Sequence, residues 1–261
     1  MTVRDIAAAI EAFAPLSVQE DWDNSGLCIG SPDQAVHGVL VGFDCTPQLV
    51  DEAVALGADM IVTHHPLIFH GLRTLSPDDP TGETVIKAVR AGIAVYAAHT
   101  NADKVPEGVS GAMARRLGLR SVRVLDPDAD GQTGLGAVGT LPAPMDAARF
   151  LAHVKSVFGL QVLRCSAPVD VPVSCVAVCG GSGSSLIGKA RSAGAHAYLC
   201  GDVSYHHFFT SKDFMVIDIG HFEGEVDIVD ILFTLIRKKF PTFAVHASSA
   251  LAAGNPVHYF I

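Results

Sequence analysis

Residues 60–66 read Met60-Ile61-Val62-Thr63-His64-His65-Pro66, an apolar run that delivers two adjacent histidines and stops at a proline. Ile, Val and Thr favour a pleated strand, and an apolar run without polar alternation fits a strand covered on both faces. Upstream, 38–43 is a second apolar run. Thr46-Pro47 then starts a helix, with Thr as N-cap and Pro at the first helical position, and the helix stops at Gly57. Downstream, a turn-rich loop over 76–82 leads into a helix over 83–91. Gly92 ends it, and a strand over 93–98 delivers His99. The order β-α-β-α-β predicts a mainly parallel sheet flanked by helices. The amphipathic stretch 4–14 reads as a further helix, and 226–239 as one closed by Arg237-Lys238-Lys239, where cations suit the dipole.

The second half of the chain repeats the first at a constant offset of 137 residues: Val39 matches Val176, Leu49 matches Leu186, and Gly57-Ala58 matches Gly194-Ala195. His99-Thr100-Asn101-Ala102-Asp103 aligns with His221-Phe222-Glu223-Gly224-Glu225, each a histidine, three residues, then a carboxylate. These matches predict two related α/β halves. Between them, 126–136 is rich in Asp and Gly and reads as an exposed connection. It lacks the ligand spacing and closing Glu of a calcium loop. The expected organisation is a first half over 1–125, a connecting segment over 126–175, and a second half over 176–261 that forms one compact unit with the first.

Of the 261 residues, 49% are hydrophobic and 17% charged, which predicts a large buried core with capacity for a buried subunit interface. The net charge of −9 and the lack of a basic patch argue against a nucleic-acid partner. The six cysteines are scattered, as expected of reduced thiols in a cytoplasmic protein. Arg4, Asp5 and Glu11 make the first residues unlike a signal peptide, and no apolar run reaches the roughly 18 residues of a membrane span.

Adjacent residues on a strand face opposite ways, so the His64-His65 pair suits two metal ions side by side better than one. Three predicted strands end in histidine: His65 after 59–63, His99 after 93–98, and His221 after 214–219. Carboxyl ends of parallel strands are where ligands bind. Asp103 and Glu225 follow closely enough to join them. His64, His65, Asp103, His221 and Glu225 are therefore candidate ligands for two divalent ions, and histidine with carboxylate suits zinc, iron, manganese or nickel. Such ions bring more positive charge than Asp103 and Glu225 return, which leaves a surplus for hydroxide, phosphate or carboxylate to balance. Glu225, just before the helical run 226–239, offsets the penalty of a cation at a helix N-terminus and is suited to bridge both ions.

Gly183 to Lys189 fits the start of a phosphate-binding loop, G-x-x-x-x-G-K. However, Ala190 replaces the magnesium-holding Ser/Thr, and Lys189 falls mid-helix, so that assignment is rejected. A Gly-rich turn that admits a substrate phosphate stays open. His206-His207, taken alone, reads as a surface pair or as support behind the ligands.

Several stretches together resemble one family, the NIF-three-like (Ngg-one-interacting-factor-three-like) proteins, commonly called type 2 GTP cyclohydrolase I. They are Asp23-Asn24-Ser25-Gly26-Leu27, Thr63-His64-His65-Pro66-Leu67-Ile68-Phe69, Tyr96-Ala97-Ala98-His99-Thr100-Asn101-Ala102-Asp103, Cys179-Gly180-Gly181-Ser182-Gly183, Gly201-Asp202-Val203-Ser204-Tyr205-His206 and Asp218-Ile219-Gly220-His221-Phe222-Glu223-Gly224-Glu225. They span nearly the whole chain in the expected order. The resemblance implies an α/β fold of two similar halves and a ring-shaped homohexamer with dinuclear sites facing its interior. It makes the five candidates the metal ligands. The preferred split puts His65 and Asp103 on one ion and His64 and His221 on the other, with Glu225 shared; which histidine serves which ion is left open. His99 and His206 become supporting or acid–base residues. The implied activity is hydrolytic opening of the imidazole ring of GTP with release of formate, from a small-molecule nucleotide substrate. A metal-dependent phosphoesterase or amidohydrolase stays open, as does a non-enzymatic metal scaffold, metal chaperone or regulatory partner. The chain departs from the family at Ser25 and Cys28, and 126–175 is too short for the extra domain that some members carry.

Overall fold

The computed structural model describes residues 1–260; Ile261, the last residue of the expected second half, and the side chains of Ala252 and Ala253 lie outside them. In chain order α1 (Val3–Phe13) precedes β1 (Gly26–Ile29), β2 (Gly38–Val41), α2 (Pro47–Leu56), β3 (Met60–Thr63), α3 (Pro80–Ala91), β4 (Ala94–Ala97) and α4 (Thr100–Lys104). Then come α5 (Val109–Arg116), β5 (Arg120–Pro127), β6 (Gly134–Met145), α6 (Ala147–Phe158), β7 (Arg164–Cys165) and β8 (Val173–Ser182). The chain finishes with α7 (Ile187–Ser192), β9 (Ala197–Gly201), β10 (Met215–Asp218), α8 (His221–Glu225), α9 (Asp227–Lys239) and β11 (Ala244–Ala247). No helix among the described residues is long and apolar enough to cross a membrane.

The expected helix α2 forms as read: Thr46 accepts from the Leu49 amide at 3.2 Å, Pro47 opens the first turn, and Gly57 closes the helix at φ 67°. The helix expected over 83–91 starts earlier, at Pro80. Asp79-Pro80 repeats the cap-then-proline signal of Thr46-Pro47, with Asp79 accepting from the Gly82 amide.

The chain divides into two compact units, one of Met1–Ala102 with Ile228–Pro256, the other of Asp103–Asp227 with the segment from Val257 onward. In the first unit the strand order is β1-β4-β3-β2-β11, parallel except for β1. Every residue of β2, β3 and β4 is buried, as a sheet covered on both faces requires. Leu40, Ile61 and Val95 from one face pack with Leu49, Val50 and Ala53 of α2 and Ala88 of α3.

The second unit has the order β5-β6-β8-β9-β10-β7. Here β8, β9 and β10 are parallel and β5, β6 and β7 antiparallel, so this sheet is mixed rather than mainly parallel. The 137-residue repeat holds down to register: Val39 pairs with Met60, and Val176 with Ala197.

Two expectations about boundaries differ from the structure. Residues 126–175 do not form a mere connection. The stretch contains β6, α6, β7 and the start of β8, and α6 buries Phe150, Val154 and Phe158, about one helical turn apart, against Val176, Leu199 and Ile217. Its Asp146 cap and Gly159 stop are ordinary helix signals. Likewise, residues 228–256 do not belong with the second half. β11 pairs in parallel with β2, from Ala244–Gly38 to Ala247–Val41, and so covers what would otherwise be an open sheet edge.

Candidate metal centre

In the first unit, parallel β3 and β4 end at one edge of the sheet. His64 and His65 follow β3, and His99 follows β4. β1 runs the other way, with Gly26 opposite Ala97, so the turn carrying Asp23 arrives at this same edge. The strand's alternation stops at Thr63. Beyond it the chain bends, both His amides face the Phe43 carbonyl at 3.1 and 3.3 Å, and the His64 and His65 ring centroids are 4.9 Å apart. The expectation of two ions drawn from opposite-facing neighbours therefore has no support here. His64, His65 and His99 each offer a ring nitrogen, and these atoms all lie within 4.8 Å of one another.

Each of these rings is tethered through Nδ1. His64 donates to the Ala98 carbonyl at 2.8 Å, His65 pairs with Asp44 Oδ1 at 2.7 Å, and His99 pairs with Asp23 Oδ1 at 2.7 Å. A carbonyl oxygen only accepts, so the His64 proton sits on Nδ1 and its lone pair on Nε2. A carboxylate imposes the same tautomer on a neutral imidazole. This is how proteins orient histidines that ligate metals.

Asp23 is itself fully engaged. It receives the Thr100 hydroxyl and amide, the Ser25 hydroxyl and the Asn24 amide in addition to His99. Burial alone would raise its pKa; the bonds from His99, Thr100 and Ser25 outweigh burial and hold the carboxyl well below the usual range.

In the second unit, His221 opens α8 and Glu225 closes it. The i,i+4 spacing brings His221 Nε2 to 3.0 Å from Glu225 Oε2. His221 Nδ1 is held by Asp202 Oδ2 at 2.7 Å, repeating the tether of the first unit. Asp103, on α4, offers a carboxylate oxygen within 4.8 Å of one from Glu225. Glu225 is buried, and two glycines make room for it. A Cβ on Gly180 would stand 3.0 Å from Glu225 Cγ, and one on Gly181, at φ +57°, 2.1 Å from Glu225 Oε1. The Gly-rich stretch thus admits a carboxylate of the chain itself. Lys189 sits inside α7 and pairs with Asp126 at 2.8 Å, in keeping with the rejected phosphate loop.

The structure thus gathers His64, His65 and His99 in one unit and Asp103, His221 and Glu225 in the other. His206 lies on the exposed turn Tyr205–Phe208, where its described ring contacts are with Tyr205 and Phe209. Sequence reading missed Asp44, Asp23 and Asp202 as tethers. The 137-residue offset places Gly201-Asp202 opposite His64-His65, so the second unit keeps a tether where the first has a histidine pair. The three aspartate tethers also bring negative charge next to the histidines they hold. The donor set fits divalent metal: imidazoles held at Nδ1, the buried Glu225 carboxylate and the half-buried Asp103 carboxylate.

The family model described as Duf34/NIF3 (NGG1p interacting factor 3) matches residues 1–253. A Clostridium acetobutylicum protein named GTP cyclohydrolase 1 type 2 homolog is 35% identical over 229 residues, covering 86% of this chain and 85% of its own. A Streptomyces coelicolor protein of the same name is 39% identical over 229 residues, covering 85% and 80%. The crystal structure of a Staphylococcus aureus hypothetical protein, 27% identical, superposes with a TM-score of 0.91 over 100% of this chain and 99% of that one.

Proposed function

This chain belongs to the Duf34/NIF3 family, and from that premise we propose that it is a dinuclear, divalent-metal-dependent hydrolase whose substrate is a guanine nucleotide. In this reading His64, His65, Asp103, His221 and Glu225 are the residues that would hold the metal. What supports it most is the uniform tethering of the histidines: His64, His65 and His221 each have Nδ1 held at an oxygen acceptor, the arrangement by which proteins orient histidines that ligate metal.

When bound, such ions supply Lewis acidity, which brings the ionisation of water near neutral pH and stabilises negative charge as it develops. The rest falls to the chain. His99 is held by Asp23 in the tautomer that leaves Nε2 able to accept a proton. It is the acid–base residue of this proposal, with His206 as a second carrier. In the reaction, water adds to C8 of the guanine ring, the C8–N bond breaks, and a second water releases C8 as formate. The homologues' shared name directs the choice to GTP. A homohexameric assembly in the cytoplasm completes the reading.

Untagged protein, analysed for metal and then incubated with GTP, tests it. Formate released in proportion to bound metal, and lost in Glu225→Gln, is the expected result. Full metal occupancy without turnover of GTP, phosphoesters or amides would turn the reading to a metal scaffold or chaperone. Absence of bound metal under every loading condition would overturn both.

A further inference from the structure

Two large aromatic side chains stand in solvent beside the histidine cluster of the first unit. Trp22 is 57% exposed and Phe69 38%. Their ring centroids are 5.8 Å apart at 40°, and each meets the His99 ring edge-on, at 6.1 and 5.8 Å. Exposed aromatics held side by side mark a binding surface more often than a stray solvent contact.

They are also held firmly. Asn24, two residues after Trp22, donates from Nδ2 to the carbonyl of Ile68, which precedes Phe69, so the two loops are tied together. Asp23, beside Trp22, has a side chain that is 0% exposed and bonded to His99 and Thr100. The backbone that carries the indole is thus anchored, one residue on, by the same carboxylate that orients His99. Tyr205 and Phe209 form a second exposed aromatic pair, but its described ring contacts are with each other and with the exposed His206, not with a metal-donor residue.

We propose that Trp22 and Phe69 form the seat on which a planar heteroaromatic ring of the substrate stacks, with its edge presented to His99. The proposal rests on the nucleotide reading above and deepens it. The tethering aspartates bring negative charge to the histidines, which disfavours recognition through the triphosphate and leaves it to the base. Stacking supplies it, because every nucleobase offers a π-face to an indole.

Trp22 is the single tryptophan of the chain, so its fluorescence reports on the seat alone. Metal-loaded protein is titrated with guanosine, GTP, ribose 5-phosphate and inorganic tripolyphosphate, excited at the red edge of the indole band. Guanosine and GTP are expected to quench Trp22 saturably; ribose 5-phosphate and tripolyphosphate are not. Calorimetry on Trp22→Ala and Phe69→Ala, checked for unchanged circular dichroism and metal content, should show guanosine binding weakened by roughly tenfold or more, with Trp22→Phe retaining most of it.

The seat is refuted if neither guanosine nor GTP quenches, if tripolyphosphate quenches as well as GTP, or if the signal follows protein concentration alone, as it would were a second copy covering the pair. Formate release without quenching leaves the hydrolase standing and sinks the seat. Saturable quenching without formate does the reverse.

Discussion

The Nδ1 nitrogen of His65 stands 2.7 Å from Oδ1 of Asp44, a residue at the end of a different strand of the same sheet. The carboxylate fixes both the tautomer and the ring plane of a histidine that backbone geometry alone would leave free to rotate. Removing it in Asp44→Ala is expected to weaken metal binding by roughly 10–100-fold while leaving the fold intact, since Asp44 is partly exposed. Competition against a chelator of known affinity reads this directly, and unchanged affinity would exclude a positioning role for Asp44.

Two glycines with similar backbone angles separate local strain from site architecture. Gly57 has φ +67° and nothing within 4 Å of the point where a Cβ would stand, whereas a Cβ on Gly181, at φ +57°, would meet Glu225 Oε1 at 2.1 Å. Gly57→Ala should cost about 1 kcal/mol of left-handed strain and leave metal content unchanged. Gly181→Ala should cost more and also release metal, because Glu225 must move. Thermal unfolding together with metal analysis checks both. Equal effects of the two substitutions would mean that Gly181 serves its turn alone.

Asp23 gives a pH signature. Its carboxyl titrates below the 3.8 of an unperturbed aspartate, so the folded chain binds that proton less readily than the unfolded one. The stabilisation is full above about pH 4 and disappears as the pH falls through the folded value. In metal-free protein, Asp23→Asn should cost about 2 kcal/mol at neutral pH, and the gap to the parent should narrow on acidification toward pH 3. Urea unfolding over that range measures it; a gap independent of pH would show that shape rather than charge is what Asp23 contributes.

What could be read along the chain was local. Thr46-Pro47 and Gly57 delimit α2 because capping and left-handed stops act over a few residues. The 137-residue repeat predicted the shared register of β2–β3 and β8–β9, because the same apolar pattern dictates the same face to bury. The His-x-x-x-carboxylate ending singled out His221 and Glu225, but they meet because α8 begins at His221, ahead of the helix expected over 226–239. Tertiary structure alone decided which strand covers β2, that α6 completes the second core, and that the His64-His65 pair turns out of strand geometry instead of splaying across it. It also decided the tethers, since Asp44, Asp23 and Asp202 lie 21, 76 and 19 positions from the histidines they hold. Bonds at those separations depend on strand order, which brings distant chain ends to one sheet edge; capping, propensity and periodicity act over single turns and carry no information about it.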